Sequence, residues 1–228
     1  MRIFDLDFMP TTLHADAFAG QYTWYDDGWA GGMRLSADGP SALSGRYTSY
    51  RFATTHPVSG QVTGPLSHEI HLDIHDFNGL AAQRFTGYLA TEGRALIAGF
   101  TQWRDERFGF YAHRGVPRAL PAFRAGEVLP ADFAGRYVLR CDGGPASVEL
   151  THDGERRLSG HWRHRDGSRY EITGEVDPAE PLLVRLTLRT QAAEATLTGY
   201  LFSRLKNLVA GWIDTPRVRV GCYLVRIG

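Results

Sequence analysis

The sequence predicts an all-β protein in which two tandem eight-stranded antiparallel up-and-down β-barrels pack as a pseudo-dimer. A long internal repeat divides the chain into two similar units. Each unit consists of short alternating segments between turn signals, and neither shows an apolar stripe of helical period over about 11 residues. We expect an N-terminal arm (1–17), a first barrel (18–114), a linker (115–131) and a second barrel (132–228).

The repeat starts with FAGQY at 18–22, which returns as FAGRY at 133–137. Further along the chain, FTGYL at 85–89 returns as LTGYL at 197–201. The offset between the copies changes only from 115 to 112 residues over roughly 95 positions. Such a constant register indicates the tandem duplication of one structural unit, and a unit of this length is large enough to be a domain.

Turn signals follow one another about every 8 to 14 residues in the first unit, among them Asp38-Gly39-Pro40, His56-Pro57 and Asn78-Gly79. Strands are expected between the turns at 20–26, 30–37, 42–52, 58–64, 68–76, 83–91, 95–104 and 107–114. Eight sequential strands with hairpin links favour a closed barrel, because closure removes the exposed sheet edges. A second set of eight is expected from about 134 to 227. Two such barrels in one chain are the covalent counterpart of a C2 dimer.

The segment HEIHLDIHDF at 68–77 shows the alternation of a strand. Every second residue from Ile70 to Ile74 is apolar, so this face is expected to point into the barrel. His71 and His75 share the other face but lie about 13 Å apart by strand rise, too far to bind one zinc ion. We predict neither a metal site nor a cofactor, since the sequence also lacks a Gly-rich phosphate loop and a nucleophile elbow.

Two segments lie outside the repeated units. The arm at 1–17 contains several apolar residues and is expected to pack against a barrel. The linker at 115–131 contains three prolines, which make it semi-rigid. Its apolar residues Phe123 and Leu129 are expected to pack against a barrel as well.

The composition excludes several classes of partner. The chain has 25 basic and 25 acidic residues, so a nucleic-acid or anionic-membrane partner has no electrostatic support. The N-terminus carries acids where a signal peptide would be apolar, and no apolar run approaches the roughly 18 residues of a membrane span.

The two cysteines, Cys141 and Cys222, form no disulfide framework and are expected to be neighbouring thiols. We expect a cytoplasmic protein, and the sequence leaves homo-oligomerisation open.

Four short motifs of the first unit follow one another in an order that one family of barrels shares. They are GQYTWY at 20–25, LSGRYTSY at 43–50, FTGYL at 85–89 and FTQW at 100–103. On these motifs each unit resembles the streptavidin/avidin family, within the broader calycin group of lipocalin-like barrels. The resemblance implies an eight-stranded barrel with an interior ligand site. It also implies that a basic residue of the last strand packs on the first-strand aromatic, as Arg114 on Tyr22 and Arg226 on Tyr137.

The residues that the family uses to bind biotin are replaced in this chain. The inward first-strand position, where the family has Asn, is expected to be Trp24. The last strand carries Phe108 and Phe110 in place of an Asp, and the second unit has Thr215 where the first has Trp103. We therefore expect a small hydrophobic or amphipathic ligand other than biotin.

Aromatic residues are concentrated in the first unit, which has 16 Phe, Trp and Tyr where the second has 8. A closed eight-stranded barrel has room for side chains or for one small ligand, so the extra rings either fill the first barrel or line a ligand cavity. The candidate ligand-binding residues are Trp24, Trp29, Ser49, Gln102, Trp103 and Phe110. Only one of the neighbours Gln102 and Trp103 can face inward, and the sequence leaves open which one.

Asp26 and Tyr47 are the candidates for acid–base catalysis. Asp27, followed by glycine, is ordinary hairpin chemistry, and the same pair returns in the second unit at Asp142. Asp26 has Cys141 as its counterpart and is therefore the less structural of the two acids.

These observations favour a small-molecule-binding protein with an apolar, aromatic-lined cavity in the first barrel. Within that hypothesis a cofactor-independent cyclase or isomerase is an option, since an aromatic wall can fold a flexible substrate beside one acid. The alternatives are a carbohydrate- or protein-binding module without catalysis and a structural subunit of a larger assembly. The carbohydrate alternative requires a Trp29 ring that is free to stack on a sugar.

Overall fold

The computed structural model describes residues 12–27, 29–64, 68–77, 79–90, 94–114, 127–141, 144–164, 167–189, 194–216 and 218–227. Within these ranges the chain forms two closed barrels of eight antiparallel strands, so the predicted fold class is confirmed. Most of the arm and residues 115–126 of the linker, with Phe123, lie outside the described residues.

The first barrel consists of a short helix followed by eight strands. The helix is α1 (Ala15–Phe18), and the strands are β1 (Gly20–Asp26), β2 (Trp29–Ala37), β3 (Ala42–Ser49), β4 (Thr54–Gly64), β5 (Glu69–Phe77), β6 (Leu80–Leu89), β7 (Leu96–Trp103) and β8 (Glu106–His113). Each strand pairs with its neighbours in sequence, and β1 pairs with β8 to close the barrel. A helix of four residues is too short to show an apolar stripe, so the sequence does not predict it.

The second barrel repeats this order after a 3₁₀-helix at Pro130–Phe133. Its strands are β9 (Gly135–Cys141), β10 (Gly144–His152), β11 (Arg157–Arg163), β12 (Arg169–Val176), β13 (Leu183–Arg189), β14 (Glu194–Leu201), β15 (Leu208–Asp214) and β16 (Arg219–Arg226). Here β9 pairs with β16, and the barrel is closed in the same way.

The third and fourth strands differ from the prediction. β3 ends at Ser49, and a turn at 50–53 leads into β4. The turn predicted at His56-Pro57 is wrong, because both residues lie within β4. β4 pairs with β5 only from Val58 onwards, so Pro57 lies where one side of the strand is unpaired and a missing amide proton is tolerated.

The short helix before β1 closes one end of the first barrel. Phe18 is fully buried there, and the hydroxyl of Tyr22 donates a hydrogen bond to its carbonyl oxygen at 2.8 Å. The Arg114 guanidinium donates to the carbonyl oxygens of Ala17 (2.9 Å) and Ala19 (2.6 Å). Its Cζ lies 5.1 Å from the Tyr22 ring centre, so the Arg–Tyr contact that the resemblance implies is present.

The second barrel is closed by the same arrangement. The Tyr137 hydroxyl donates to the carbonyl oxygen of Phe133 at 2.9 Å, and Arg226 lies 5.4 Å over the Tyr137 ring. Leu129, just before the 3₁₀-helix, is 53% exposed. The prediction that Leu129 packs against a barrel is therefore wrong, and its neighbour Val128 packs on the core instead.

We expect Arg114→Ala to lower the free energy of unfolding by about 3 kcal/mol, because it removes charge-assisted hydrogen bonds to two carbonyl groups at the closed end. Urea denaturation followed by tryptophan fluorescence measures the change. Arg46→Ala removes an exposed arginine of the same barrel and is expected to cost less than about 0.5 kcal/mol. Equal effects of the two substitutions would contradict a role of Arg114 in closing the barrel.

The two barrels pack against each other around a pseudo-twofold axis. Tyr111 and Tyr223, which are equivalent in the repeat, stack on each other with ring centres 4.6 Å apart. Equivalent apolar residues of the two barrels are buried against each other near the axis. Among them, Ala98 and Ala210 have no exposed surface. The predicted pseudo-dimer therefore describes the arrangement of the two barrels.

Two glycines allow the backbones of the barrels to approach each other. A Cβ atom at Gly221 would lie 2.1 Å from the carbonyl oxygen of Tyr88. A Cβ atom at the equivalent Gly109 would lie 2.8 Å from the carbonyl oxygen of Tyr200. Beside them the Arg219 guanidinium donates to the Tyr88 hydroxyl at 3.1 Å. The interface therefore combines direct backbone contact with a hydrogen bond between the barrels.

The end of the first barrel opposite α1 is called the mouth below. It is the end where β1 is followed by β2, β3 by β4, β5 by β6 and β7 by β8, because the strands run up and down. Inward and outward residues alternate along each strand. On β5 the inward residues Ile70, Leu72 and Ile74 are fully buried, as predicted.

Candidate functional site

The interior of the first barrel contains two polar groups that the protein leaves unsatisfied. Trp24 is fully buried and Asp26 is 9% exposed, and both project inward from β1. The indole Nε1 of Trp24 and the carboxyl Oδ1 of Asp26 are buried and have no hydrogen-bond partner among the described residues. An unsatisfied buried polar group costs about 1–3 kcal/mol, and such groups are rare. Trp24 and Asp26 can therefore offer hydrogen bonds to a bound molecule.

An aromatic wall surrounds these two groups. The Trp24 ring stacks on Phe110 with centres 4.5 Å apart and meets Phe85 edge-on at 4.9 Å. Tyr47 lies 6.0 Å from Trp24 and meets Phe77 edge-on at 5.1 Å. All five rings are buried, so the predicted site residues Trp24, Tyr47 and Phe110 are brought together in one apolar cluster.

The environment of Asp26 changes its chemistry. Burial raises the pKa of its carboxyl from 3.8 to about 7, and the negative charge of the adjacent Asp27 adds to the effect. A carboxyl with this pKa keeps its proton on a large fraction of molecules at neutral pH and can donate it to a ligand. Perturbed carboxyl groups of this kind are concentrated at functional sites.

Tyr47 and Ser49 project inward from β3 near Asp26. Tyr47 is 1% exposed and Ser49 is 4% exposed, and a hydrogen bond joins their side chains. Burial and the neighbouring Asp26 carboxyl raise the pKa of the Tyr47 hydroxyl above its ordinary value. Tyr47 therefore keeps its proton at neutral pH. It is suited to hydrogen bonding and is not suited to act as a base.

Gln83 and Thr101 are buried polar residues of the site that the sequence does not single out. The side-chain nitrogen of Gln83 donates to Oγ1 of Thr101 at 3.1 Å, and this hydroxyl donates to the carbonyl oxygen of Arg84 at 2.7 Å. The repeat carries the signal that could have found them. At an offset of 112 their counterparts are the apolar residues Ala195 and Ile213.

The structure decides which of Gln102 and Trp103 faces the interior. Thr101 is buried inside the barrel, so the alternation along β7 places Trp103 on the inward face and Gln102 on the outer face. Gln102 is exposed and donates to the carbonyl oxygen of Arg104 at 3.0 Å. The proposed ligand-binding role of Gln102 is therefore withdrawn, because its side chain points away from the interior.

The second barrel provides an internal comparison for the polar set. The interior residues Asp26, Ser49, Gln83 and Thr101 correspond to Cys141, His164, Ala195 and Ile213. The core cluster of the second interior is apolar, with Trp162 and Tyr170 in contact at a centre distance of 4.8 Å, and His164 is half-buried beside Trp162. Since the second barrel has the same fold without these four residues, the fold does not require the polar residues of the first barrel.

Trp29 lies at the mouth, opposite Asp26 in the β1–β2 pairing. Its side chain is half-buried, and the Cζ atoms of Arg51 and Arg204 lie 3.7 and 4.2 Å from the ring centre. These guanidinium groups occupy the surface on which a sugar would stack. The carbohydrate-binding alternative therefore loses the free aromatic platform that it requires.

Asp27 connects the mouth of the first barrel to the second barrel. Its Oδ1 accepts a hydrogen bond from the backbone N–H of Ser203 at 2.5 Å, and its Oδ2 accepts one from the Ser203 hydroxyl at 2.6 Å. Its φ of 41° suits a residue of a tight hairpin. Asp27 is thus a structural residue. By binding Ser203 it also holds the next residue, Arg204, at the mouth.

The other candidate groups do not form a second site. Cys141 and Cys222 are not joined in a disulfide bond, and burial raises the pKa of the Cys222 thiol well above its ordinary value. On the outer face of β5, His71 pairs with a glutamate and His75 with a serine. Within the described ranges, no group of three His, Cys, Asp or Glu residues is arranged to bind a metal ion.

Comparisons with models of protein families, with curated proteins and with solved structures found no match to this chain. The resemblance to the streptavidin/avidin family therefore remains a prediction from its short motifs. In the part of the chain that the structure describes, no helix is long and apolar enough to cross a membrane.

Proposed function

We propose that the first barrel binds one small hydrophobic or amphipathic molecule at its mouth. The apolar part of the molecule packs on the aromatic wall, and a polar atom bonds to Trp24 and Asp26. The observation that carries this proposal is that Nε1 of Trp24 and Oδ1 of Asp26 are buried without a partner among the described residues. A single ligand would satisfy both groups and remove their desolvation cost.

A cofactor-independent cyclase or isomerase is the reaction class that we propose within this function. The Asp26 carboxyl, with a pKa raised to about 7, would supply a proton in an apolar site, and the wall would hold a flexible substrate in a reactive conformation. Tyr47 would orient the substrate through its hydroxyl. This finer proposal fails if Asp26→Asn leaves the turnover of the identified substrate unchanged.

We expect mass spectrometry of the small molecules released by denaturation to detect an organic compound in roughly stoichiometric amount. A triple variant places second-barrel residues in the first barrel: Asp26→Cys, Gln83→Ala and Thr101→Ile. This variant is expected to retain less than about one tenth of the compound, because it removes the polar groups that orient the ligand.

The matched control is Trp162→Tyr, which places a first-barrel residue at the equivalent second-barrel position. It is expected to retain the compound in full. Near-UV circular dichroism checks that both variants are folded. An empty wild-type protein, or equal recovery from the wild type and the triple variant, would contradict the binding proposal.

A further inference from the structure

Resting on the function proposed above, the geometry points to an amphipathic organic anion as the ligand. Its head group binds Arg51 and Arg204 at the mouth, while its apolar part enters the first barrel. The shared chemistry of such head groups is that of a carboxylate or a phosphate, to which guanidinium groups donate paired hydrogen bonds.

Two cations converge on one ring at the mouth. Arg51 comes from the turn between β3 and β4, and Arg204 comes from the connection between β14 and β15 of the second barrel. Both Cζ atoms lie within 4.2 Å of the Trp29 ring centre. The ring attracts each guanidinium group. A bound anion would offset the positive charge that the two groups bring to the ring.

The surrounding acids leave this pair of cations incompletely neutralised. Arg51 contacts the rings of Trp29 and Phe52 and has no carboxylate partner among the described residues. Asp27 is the acid beside Arg204, and both of its oxygens already accept hydrogen bonds from Ser203. The other neighbouring acid, Asp26, is buried inside the barrel. The two cations Arg51 and Arg204 thus outnumber the one engaged carboxylate beside them, that of Asp27.

The head-group site lies next to the inward position of Asp26. Trp29 pairs with Asp26 across the β1–β2 ladder, so both side chains lie on the inward side. Phe52 is 57% exposed and lies 4.8 Å from the Arg51 guanidinium, which adds apolar surface beside the charge. One molecule with an anionic end and an apolar body can therefore contact both regions.

This arrangement assigns a role to the second barrel, which supplies Arg204 and anchors it through Ser203. In the second barrel the residue that corresponds to Trp29 is Gly144, which has no ring. A pair of barrels would thus form one site, at the mouth of the first barrel.

The test compares decanoate with decan-1-ol at pH 7 in fluorescence titrations of the full-length protein, with inorganic phosphate as the free anion. We expect the wild type to bind decanoate at least about tenfold more tightly than decan-1-ol. The double variant R51A/R204A is expected to lose this preference and to keep its affinity for the alcohol. The control R34A/R46A removes the same charge from exposed outer-face positions and is expected to keep the preference.

Each outcome has a defined meaning. Equal affinity of the wild type for decanoate and decan-1-ol would overturn the anionic head group and leave the proposed function standing. Phosphate that binds as tightly as decanoate would indicate a site for a free anion and overturn the amphipathic ligand. If neither apolar compound binds, the proposed function fails, and the head-group site fails with it.

Discussion

Gly221→Ala is expected to lower the free energy of unfolding by about 3 kcal/mol or more. The added Cβ would lie 2.1 Å from the carbonyl oxygen of Tyr88 and 3.0 Å from the backbone nitrogen of Ala98, both in the other barrel. Neither contact is with a side chain that could rotate away, so the barrels must move apart and lose apolar contacts at the axis. Urea denaturation and near-UV circular dichroism measure the two consequences.

Substitutions at two further glycines provide a comparison for the expected loss of stability. Gly109→Ala is expected to have a smaller effect, since its Cβ would meet the carbonyl oxygen of Tyr200 at 2.8 Å. Gly32→Ala is the matched control, because its Cβ would meet only the hydroxyl end of the exposed Tyr50 at 2.9 Å. We expect the control to cost less than about 1 kcal/mol. A Gly221→Ala protein as stable as the Gly32→Ala protein would argue against the backbone contact between the barrels.

Separation of the barrels would also affect the candidate site. Ser203 and Arg204 reach the mouth of the first barrel only because the two barrels are packed together. We therefore expect Gly221→Ala, a change in the second barrel remote from the mouth, to withdraw Arg204 from Trp29. The same interface supports both the stability of the chain and the geometry of its site.

Asp26→Asn is expected to stabilise the ligand-free protein at pH 8 and to have little effect at pH 3. Because the pKa of the carboxyl rises from 3.8 to about 7 on folding, the folded state holds a proton that the unfolded state has released between these pH values. The contribution of Asp26 to the free energy of unfolding therefore falls by about 4 kcal/mol between pH 3 and pH 8. The Asn side chain does not titrate, so the variant does not lose this stability. Calorimetry should therefore show a Tm roughly 10 °C higher for the variant than for the wild type at pH 8.

Asp73→Asn provides a control of opposite sign. The Arg84 guanidinium binds the Asp73 carboxylate at 2.7 and 2.8 Å and holds its pKa below the ordinary value. This pair stabilises the folded state at neutral pH, and its contribution is lost as the pH falls through the pKa of the folded state. Asp73→Asn should therefore lower the Tm slightly at pH 8. A pH-independent effect of Asp26→Asn would exclude the buried, protonated carboxyl.

A gain in stability on removal of Asp26 would have a functional meaning. Proteins retain a destabilising buried group where binding or catalysis requires it. The second barrel shows that this position tolerates a small uncharged residue, Cys141, in the same fold. Binding of the natural ligand should recover the energy that the unsatisfied carboxyl costs.

The sequence by itself determined the architecture of this protein, because duplication and alternation are patterns of the residues along the chain and do not depend on which residues are in contact. The return of FAGQY at 133–137 located the second unit, and the alternation at 68–77 identified the buried face of β5. The turn predicted at His56-Pro57 was wrong, because both residues lie within β4. Whether a strand tolerates a proline depends on whether a neighbouring strand needs an amide proton at that position, and the sequence does not show which strands pair there.

The tertiary structure alone decided how the site is assembled. The sequence pointed to Asp26, Tyr47 and Trp24 but could not show that Oδ1 of Asp26 has no hydrogen-bond partner among the described residues, because a partner can come from any strand of the closed barrel. Nor could it bring Arg204 to the Trp29 ring from another domain. Such contacts join residues far apart in the chain, and only the packing of the two barrels brings them together.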